Sequence, residues 1–204
     1  KHVYEAQAGV NAIEKCIPLI NALRELEAEM NQVRHPAYAE IVHPINLNIG
    51  IIRGGDWPST VPAAAEFHGR LSFFPGQPYE EIQKRIQDTI ERASATDDWL
   101  AENKPSVEFY GFRSEGHTVS RIQPAFNVLN DCHRLLFDQN AENMVTTATT
   151  DVRAFHFFGQ GQATCYGPVA ENIHASNERV QIESVISTAK VYALFLARWC
   201  GLTD

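Results

Sequence analysis

Residues 149–178 concentrate the side-chain types that bind ligands and metals in this sequence. The stretch opens with TDVRAF, whose Arg153 carries a guanidinium that suits two-point binding of a carboxylate. It continues through an apolar run at residues 163–166 to His174, and neutral imidazole is a common ligand of zinc. Because the two polar clusters flank a predicted strand, we expect both to lie on loops at the ends of core elements, where sites are usually built.

Residue type and position alone leave other roles open for these side chains. An arginine in a turn is also an ordinary salt-bridge partner, and Asp151 is two residues away. A loop histidine is ordinarily solvated or makes a simple hydrogen bond. Asn177 and Glu178 follow His174 and either orient its ring or cap the approach to the next helix. The residues alone therefore indicate a polar site without fixing its chemistry.

The order of these motifs resembles the C-terminal part of a known enzyme family, the co-catalytic zinc amidohydrolases and metallopeptidases. Its members include acetylornithine deacetylase, succinyl-diaminopimelate desuccinylase, aminoacylase and carboxypeptidase G. In that family a TDxR turn precedes an apolar strand, a Gly-Pro pair and a histidine, as TDVRAF and GPVAENIHASNERV do here. The resemblance implies that His174 binds the second zinc ion and that Arg153 binds the substrate carboxylate. It also implies that Thr150 offers a hydroxyl or backbone group to the substrate.

The first residues, HVYEAQAGVNAIEK, resemble the segment that opens the lid domain in the same family. The resemblance implies that His2 reaches into the partner subunit's site and helps to polarise the scissile carbonyl. One such oxyanion donor contributes on the order of 3 kcal/mol to the transition state. The alternative is that His2 is a disordered residue at the chain end with no role.

The segment RGGDWPSTVP resembles the glycine-rich turn of the family's lid, G-G-x-x-x-N-x-x-P. Ser59 stands in the place of the asparagine and is the candidate substrate contact at this turn. The usual arginine of the lid strand is replaced by Ser72, and Arg70, two residues earlier on the same strand face, is its candidate substitute. His68 shares that face and is expected to be exposed. The remaining histidines are interpreted as structural: His35, His43, His117, His133 and His156.

The N-terminal half predicts a β-α-β-β-α-β order of elements. The elements are a short strand near Val3, a helix at residues 9–33, strands at 45–52 and 61–74, a helix from Pro78 and a strand at 106–113. This is the ferredoxin-like order, and it resembles the lid, or dimerisation, domain of the family. The predicted fold class is therefore α/β (α+β), with a lid domain at residues 1–115.

The pattern changes in residues 116–204. The predicted elements are a helix from Pro124 to Phe137, strands at residues 145–150 and 163–166, a turn at 151–158 between them, and a last helix at 183–200. On this last helix the residues expected inward are Val185, Ile186, Ala189, Ala193, Leu196 and Cys200. Strands that alternate with helices indicate the C-terminal portion of an α/β catalytic domain.

Composition narrows the classes of function. A net charge of −8 without a basic cluster argues against a nucleic-acid-binding surface. Neither a signal peptide nor an apolar run near ~20 residues is found, so neither export nor membrane insertion is predicted. The four cysteines lie in apolar runs without C-x-x-C spacing, so buried free thiols and a cytoplasmic location are expected. Because Lys1 is not preceded by Met, we expect a fragment or a processed product.

The resemblance covers only part of the family's active site. In that family the H-x-D motif, a bridging Asp and the Glu-Glu pair with the general base lie upstream of the lid. The implied function is a metal-dependent amidohydrolase that acts on N-acyl amino acids or small peptides, as a homodimer joined through the lid. Zinc, with cobalt or manganese as alternatives, is the expected metal, and the 204-residue chain alone is expected to be inactive. The alternative is a non-catalytic dimerisation or small-molecule-binding module.

Overall fold

Asn11 starts the first helix, α1, which spans Ala12–Gln32. The Asn11 side-chain oxygen accepts hydrogen bonds from the backbone N–H groups of Ile13 and Glu14, two of the donors that a helix start leaves unsatisfied. The helix continues through Pro18, although a proline inside a helix ordinarily kinks or ends it. Residues 12–32 therefore form one continuous helix.

The computed structural model describes residues 1–119, 123–159 and 163–202. Contacts divide the chain into two units, Lys1–Gly116 and His117–Asp204. Their predicted identities, a lid domain at 1–115 and a catalytic segment at 116–204, stay predictions.

Two antiparallel strands form the sheet of the first unit. Strand β1 spans Leu47–Gly54 and strand β2 spans Ala65–Leu71, with Leu47 opposite Leu71 and an irregularity in register between Ile49 and Ile51. Side chains alternate between the two faces of a strand, so one face of the pair turns to the helices and the other carries polar residues.

Two helices complete the first unit. Helix α2 spans Tyr79–Ala95 and the short helix α3 spans Asp98–Glu102. Glu80 and Glu81 occupy the first turn of α2, where the helix dipole favours acidic groups. The buried core joins α1, β1 and α2 with the connecting residues: Leu19, Leu23, Leu26, Met30, Ile45, Leu47, Phe74, Ile82, Ile90 and Leu100.

Two of the four strands predicted for this unit do not form. The residues around Val3 are a short 3-10 helix, Val3–Ala8, and only His2 makes an isolated bridge, to Thr60. Residues 106–113 lie outside any ladder, although Tyr110 contacts β2. This segment contacts the rest of the unit through side chains and not through backbone pairing with a strand. The α+β class is confirmed, with helices and small antiparallel sheets together.

The second unit is mainly helical. Its elements are helix α4 (Pro124–Phe137), helix α5 (Val152–Phe158), the short strands β3 (Ala170–Glu171) and β4 (Arg179–Val180), and helix α6 (Ile182–Cys200). Helices α4 and α6 pack together, and their buried residues are Ala125, Cys132, Thr188 and Val191. Within the described residues, the strands predicted at 145–150 and 163–166 do not form, and the turn predicted at 151–158 is largely α5.

Two expectations about burial are wrong. The inward face predicted for α6 is exposed, with Ile186 and Leu196 both more than half exposed, because the helix packs on α4 through Thr188 and Val191 instead. Only two of the four cysteines are buried, and Cys165 and Cys200 are exposed. All four are free thiols. None of the helices in the described part of the chain has the length and apolar character needed to cross a membrane.

Candidate functional site

His2 is held against the glycine-rich turn of the first unit. Its backbone forms an isolated antiparallel bridge with Thr60, and the neighbouring Val3 N–H donates to the Ser59 carbonyl at 2.9 Å. Its Nδ1 accepts from the Tyr4 backbone N–H at 3.4 Å, which fixes the ring at the start of the 3-10 helix. The structure therefore brings together two predicted site residues, His2 and Ser59, that are more than fifty positions apart in the sequence.

The turn that carries Ser59 borders an open groove of about 490 Å³. Gly55 has a φ of +70°, a left-handed conformation that glycine adopts without strain. Gly54 lies so close to helix α1 that an added Cβ would stand 2.7 Å from the Cγ1 atom of Ile13. These two glycines hold the turn against the helix and place the following residues, Asp56 and Trp57, on the rim of the groove.

Arg70 lies on β2, exposed, with its Cζ atom 5.2 Å from the centroid of the Phe112 ring. This distance permits a cation–π contact. The guanidinium is thus held at the polar face of the sheet. No described contact joins Arg70 to His2 or Ser59, so its role in binding substrate stays a prediction.

His68 is not simply exposed, as its position on the strand predicts. It is half-buried, its Nδ1 contacts the Tyr110 hydroxyl, and its Nε2 lies 3.3 Å from Oε1 of Glu66. Hydrogen bonds from His68 and Arg53, outweighing a small effect of burial, lower the pKa of the Glu66 carboxyl. The sequence does not predict this network, because Tyr110 lies outside the sheet ladder. It predicts only that residues 66 and 68, two positions apart on a strand, share a face.

Arg153 and Thr150 lie together at the start of α5. The Arg153 Nη1 donates to the Thr150 carbonyl at 3.2 Å and to Oδ1 of Asp151 at 3.0 Å. The pairing with Asp151 that the sequence left open is therefore present. Asp151 is 98% exposed on its side chain, so this ion pair is solvent-screened and weak.

Two histidines interpreted as structural also belong to this neighbourhood. The ring centroids of His117 and His156 are 5.5 Å apart, and Phe157 meets both rings edge-on. Burial, and then the nearby His156 and Arg153, lower the pKa of His117. The structure thus gathers three basic side chains in the second unit. Their spacing in the sequence gave no signal for this cluster, because His117 is far from α5 along the chain.

His174 lies on the loop between β3 and β4. The hairpin is closed by two backbone-paired positions and by an Arg179–Glu171 ion pair, whose Nε–Oε2 distance is 2.7 Å. His174 has a φ of 62°, and two other loop residues, Asn172 and Asn177, are also left-handed. Such conformations are uncommon outside glycine and cluster at functional sites. The loop geometry suits an exposed ligand, but no described contact ties Asn177 to the His174 ring.

The donor set for a metal ion is incomplete in this chain. Among residues 1–119, 123–159 and 163–202, no group of three His, Cys, Asp or Glu side chains converges on one point. A catalytic zinc ion takes three protein ligands as a rule. His174 is the one predicted ligand, so the residues described do not by themselves fit a metal centre.

Comparison with known proteins indicates the same enzyme family as the sequence motifs. Residues 1–98 match the family described as peptidase dimerisation domain. The chain is 25% identical to an N-formyl-4-amino-5-aminomethyl-2-methylpyrimidine deformylase of Halalkalibacterium halodurans, over 98% of this chain and 49% of the relative. The corresponding deformylase of Bacillus subtilis is also 25% identical, over 95% of this chain and 47% of the relative.

A third relative is the acetylornithine deacetylase of Aliivibrio fischeri. It is 28% identical over 46% of this chain and 25% of the relative. The chain spans about half the length of the deformylases that it matches.

Proposed function

Because the chain belongs to the amidohydrolase and metallopeptidase family of acetylornithine deacetylase, with that family's dimerisation domain at residues 1–98, we propose that the whole protein hydrolyses the amide bond of small N-acyl compounds. Deformylation and deacetylation, the activities in the relatives' names, both release an amine from an N-acyl group. N-acyl amino acids and small peptides form one substrate class, and N-formylated aminomethyl heterocycles form another.

The observation that carries the proposal is the contact between His2 and the glycine-rich turn. The bridge to Thr60 and the Val3–Ser59 hydrogen bond hold the backbone of His2 against a turn that borders an open groove, rather than leaving it at a free chain end. An N–H of the His2 ring at such a position can donate to the oxygen of a polarised carbonyl as negative charge develops there. Ser59 is a second polar group on the same turn. We assign His2 to catalysis and Ser59 to substrate binding.

The second unit supplies the groups for the acid end of a substrate. Arg153 presents a planar guanidinium, and one of its partners, Asp151, has an almost fully solvated carboxylate that a substrate carboxylate could replace. Thr150 lies within hydrogen-bond reach of the same guanidinium. We assign both to binding a substrate carboxylate, and Arg70 of the first unit to a polar group of the substrate.

The proposal includes a metal ion, for which this chain offers one ligand. Zinc, or cobalt or manganese, polarises a carbonyl and acidifies a water molecule when bound in sites of this kind. His174 on its left-handed loop is the ligand that this chain offers. Since no group of three ligand residues occurs in the described residues, the other ligands are proposed to lie elsewhere in the whole protein.

Self-association and location complete the proposal. The match to a dimerisation domain and the unpaired edge of β1 support a homodimer joined through the first unit. The four free thiols support a reducing compartment, which we take to be the cytoplasm.

A substrate panel on the full-length protein tests the proposal. The panel pairs N-formyl and N-acetyl derivatives of amino acids with those of aminomethyl heterocycles, and the measurement is amine release together with metal content. We expect turnover of at least one class, loss of turnover on chelation and recovery with zinc, cobalt or manganese. If the protein turns over none of the panel and contains no bound metal, the result would support the alternative, a dimerisation or small-molecule-binding module. That alternative draws on the incomplete donor set of this chain.

A further inference from the structure

The groove beside His2 has the size and lining of a small-molecule site. Its volume of about 490 Å³ falls in the range of ligand pockets, and most of its walls are apolar. It lies wholly within the first unit, between the 3-10 helix and the turn that joins β1 to β2. Its main wall residues are Val3, Ile13, Asp56, Trp57, Val61 and Pro62.

Among the described residues that line the groove, Asp56 is the only one with an ionisable side chain, and none is basic. Asp56 makes no hydrogen bond or ion pair with the residues that the structure describes. The carboxylate is exposed to solvent. The groove therefore carries one uncompensated negative charge.

Trp57 follows Asp56 directly in the chain, also lines the groove and is 65% exposed. No ring contact to another aromatic side chain of the described residues covers it. An exposed large aromatic is usually an isolated surface residue, but this one borders a cavity and adjoins an unpaired carboxylate. The face of an indole attracts cations more strongly than the other aromatic rings do.

Local contacts hold the backbone of the turn that carries these two residues. Gly55, at φ +70°, makes the turn immediately before Asp56, and Gly54 packs directly on Ile13 of α1. The Thr60 N–H donates to the Trp57 carbonyl at 3.0 Å and closes the turn on its other side. The backbone that carries the carboxylate and the indole is thus held at the rim before any ligand binds, which lowers the entropy cost of ordering the turn.

We infer that this groove binds a small organic ammonium ion, with Asp56 as the counter-ion and Trp57 as the aromatic face. The inference rests on the proposed function in one respect, since the ammonium would be a second, free amino group of the N-acyl substrate. Substrates with such a group would then be preferred over those without it. His2, whose backbone bridges to Thr60 of this turn, would act on the acyl end of the same molecule.

Other ligands fit the groove less well. A metal ion needs more than one carboxylate, and no group of three ligand residues occurs in the described residues. An anion would be repelled by Asp56 and finds no basic partner in the lining. A neutral apolar ligand would contact the apolar walls but leave the Asp56 carboxylate without a partner.

Direct binding to the 204-residue chain tests the inference without any turnover. Benzylammonium, benzyl alcohol and phenylacetate are titrated in turn while the indole N–H resonances of the three tryptophans are followed by NMR. We expect the Trp57 resonance to shift and saturate with benzylammonium, which should bind roughly three- to tenfold more tightly than benzyl alcohol. Phenylacetate should bind most weakly.

Variants assign the preference to the two residues. Asp56→Asn should bring the affinities for benzylammonium and benzyl alcohol to within about twofold. Trp57→Leu, which removes the indole reporter and is therefore titrated by calorimetry, should weaken benzylammonium roughly two- to fivefold. Glu91→Gln removes an exposed charge from α2, and Trp199→Leu removes an exposed indole from α6; both should leave the binding unchanged. Benzyl alcohol binding reports that each variant keeps the groove.

Three results would overturn the inference: no saturable shift of Trp57, equal affinity for the ammonium and the alcohol in the unaltered chain, or an unchanged preference in Asp56→Asn. Each of these can occur whether or not the full-length protein hydrolyses amides. Conversely, a protein that fails the substrate panel while its chain binds benzylammonium through Asp56 would disprove the enzymatic function alone.

Discussion

The carboxylate Oε1 of Glu27 accepts a hydrogen bond from the backbone N–H of Leu47 at 2.6 Å, and this bond ties the middle of α1 to the first residue of β1. One turn further along α1, the amide of Asn31 accepts from the Ile45 N–H at 3.0 Å and donates to the Ile45 carbonyl at 2.8 Å. Helix side chains thus satisfy backbone groups of the chain that enters the sheet, as a neighbouring strand would.

Replacing Glu27 should therefore destabilise the first unit in a pH-dependent way. Burial alone would raise the pKa of Glu27, but hydrogen bonds from Leu47, Arg24 and His43 together with the Arg24 charge lower it. The stabilisation is complete above the unfolded carboxyl pKa and is lost as pH falls through the folded value. Glu27→Gln should cost about 1 kcal/mol at neutral pH, measured by urea unfolding.

At acid pH the cost of Glu27→Gln should shrink, because the carboxyl of the unaltered chain is then protonated as well. Glu25→Gln, an exposed position on the same helix, is the matched control and should change little. A Glu27→Gln penalty that is constant with pH would show that its charge does not stabilise the fold.

Gly54 should not tolerate even a methyl group. An added Cβ would lie 2.7 Å from Cγ1 of Ile13 and 2.9 Å from Cβ of Ala65, both inside normal contact distance. Gly54→Ala should destabilise the chain by about 1–3 kcal/mol, as overpacking commonly does. Gly50→Ala, whose nearest contact is the flexible end of Asn48 at 3.2 Å, is the control in thermal unfolding and should cost less. Equal penalties would mean that the turn is not packed on α1.

The basic cluster of the second unit should be visible in histidine titrations. Burial is the largest cause that lowers the pKa of His117, followed by His156 and then Arg153. His156→Gln should therefore raise the His117 pKa part of the way to its ordinary value, and Arg153→Gln should raise it less. NMR titration of the imidazole protons measures this. His133→Gln, whose ring contacts Tyr166, should have no effect on it.

The same shift has a consequence for stability. Because the folded chain binds the His117 proton less readily than the unfolded chain does, folding should weaken as pH falls below the unfolded histidine pKa of about 6.5. His117→Gln should remove that part of the pH dependence. A His117 pKa at or above the ordinary value would contradict the geometry of the cluster.

Arg153 should govern the choice between substrate classes. A lysine keeps the charge but cannot make the planar two-point contact, so Arg153→Lys in the full-length protein should lower kcat/KM for N-acyl amino acids by roughly tenfold or more. Substrates without a carboxylate, such as N-formylated aminomethyl heterocycles, should be nearly unaffected. Arg134→Lys on α4 is the control. An unchanged kcat/KM for both classes would show that Arg153 does not bind the substrate carboxylate.

Local sequence signals predicted the helices best. Pro124 at the first helical position and a left-handed Asp138 after the last one bound α4, and its bounds agree with the prediction. Strands β1 and β2 were predicted to within a few residues from their alternating pattern. Alternation does not specify a partner, however, so residues 106–113 have strand-like composition without a ladder.

Contacts distant in sequence could not be predicted from periodicity. The apolar residues of α6 indicate which face suits burial, but the helix meets α4 through Thr188 and Val191. In the same way, the proximity of His117 to His156 depends on how α5 packs within its unit. The adjacency of His2 and Ser59 follows from backbone hydrogen bonds that no local pattern encodes. The family resemblance identified His2 and Ser59 as candidates, and the structure shows which residues lie next to them.

Mixing two inactive variants of the full-length protein tests most directly whether His2 and His174 work in one active site built from two subunits. His2→Ala and His174→Ala homodimers should each be nearly inactive. After subunit exchange, half of the dimers are mixed, and each carries one intact site formed by His174 of the His2→Ala chain and His2 of the His174→Ala chain. With independent sites, about a quarter of the unaltered activity should return. If no activity returns although heterodimers are shown to form, His2 does not act across the dimer and the account is contradicted.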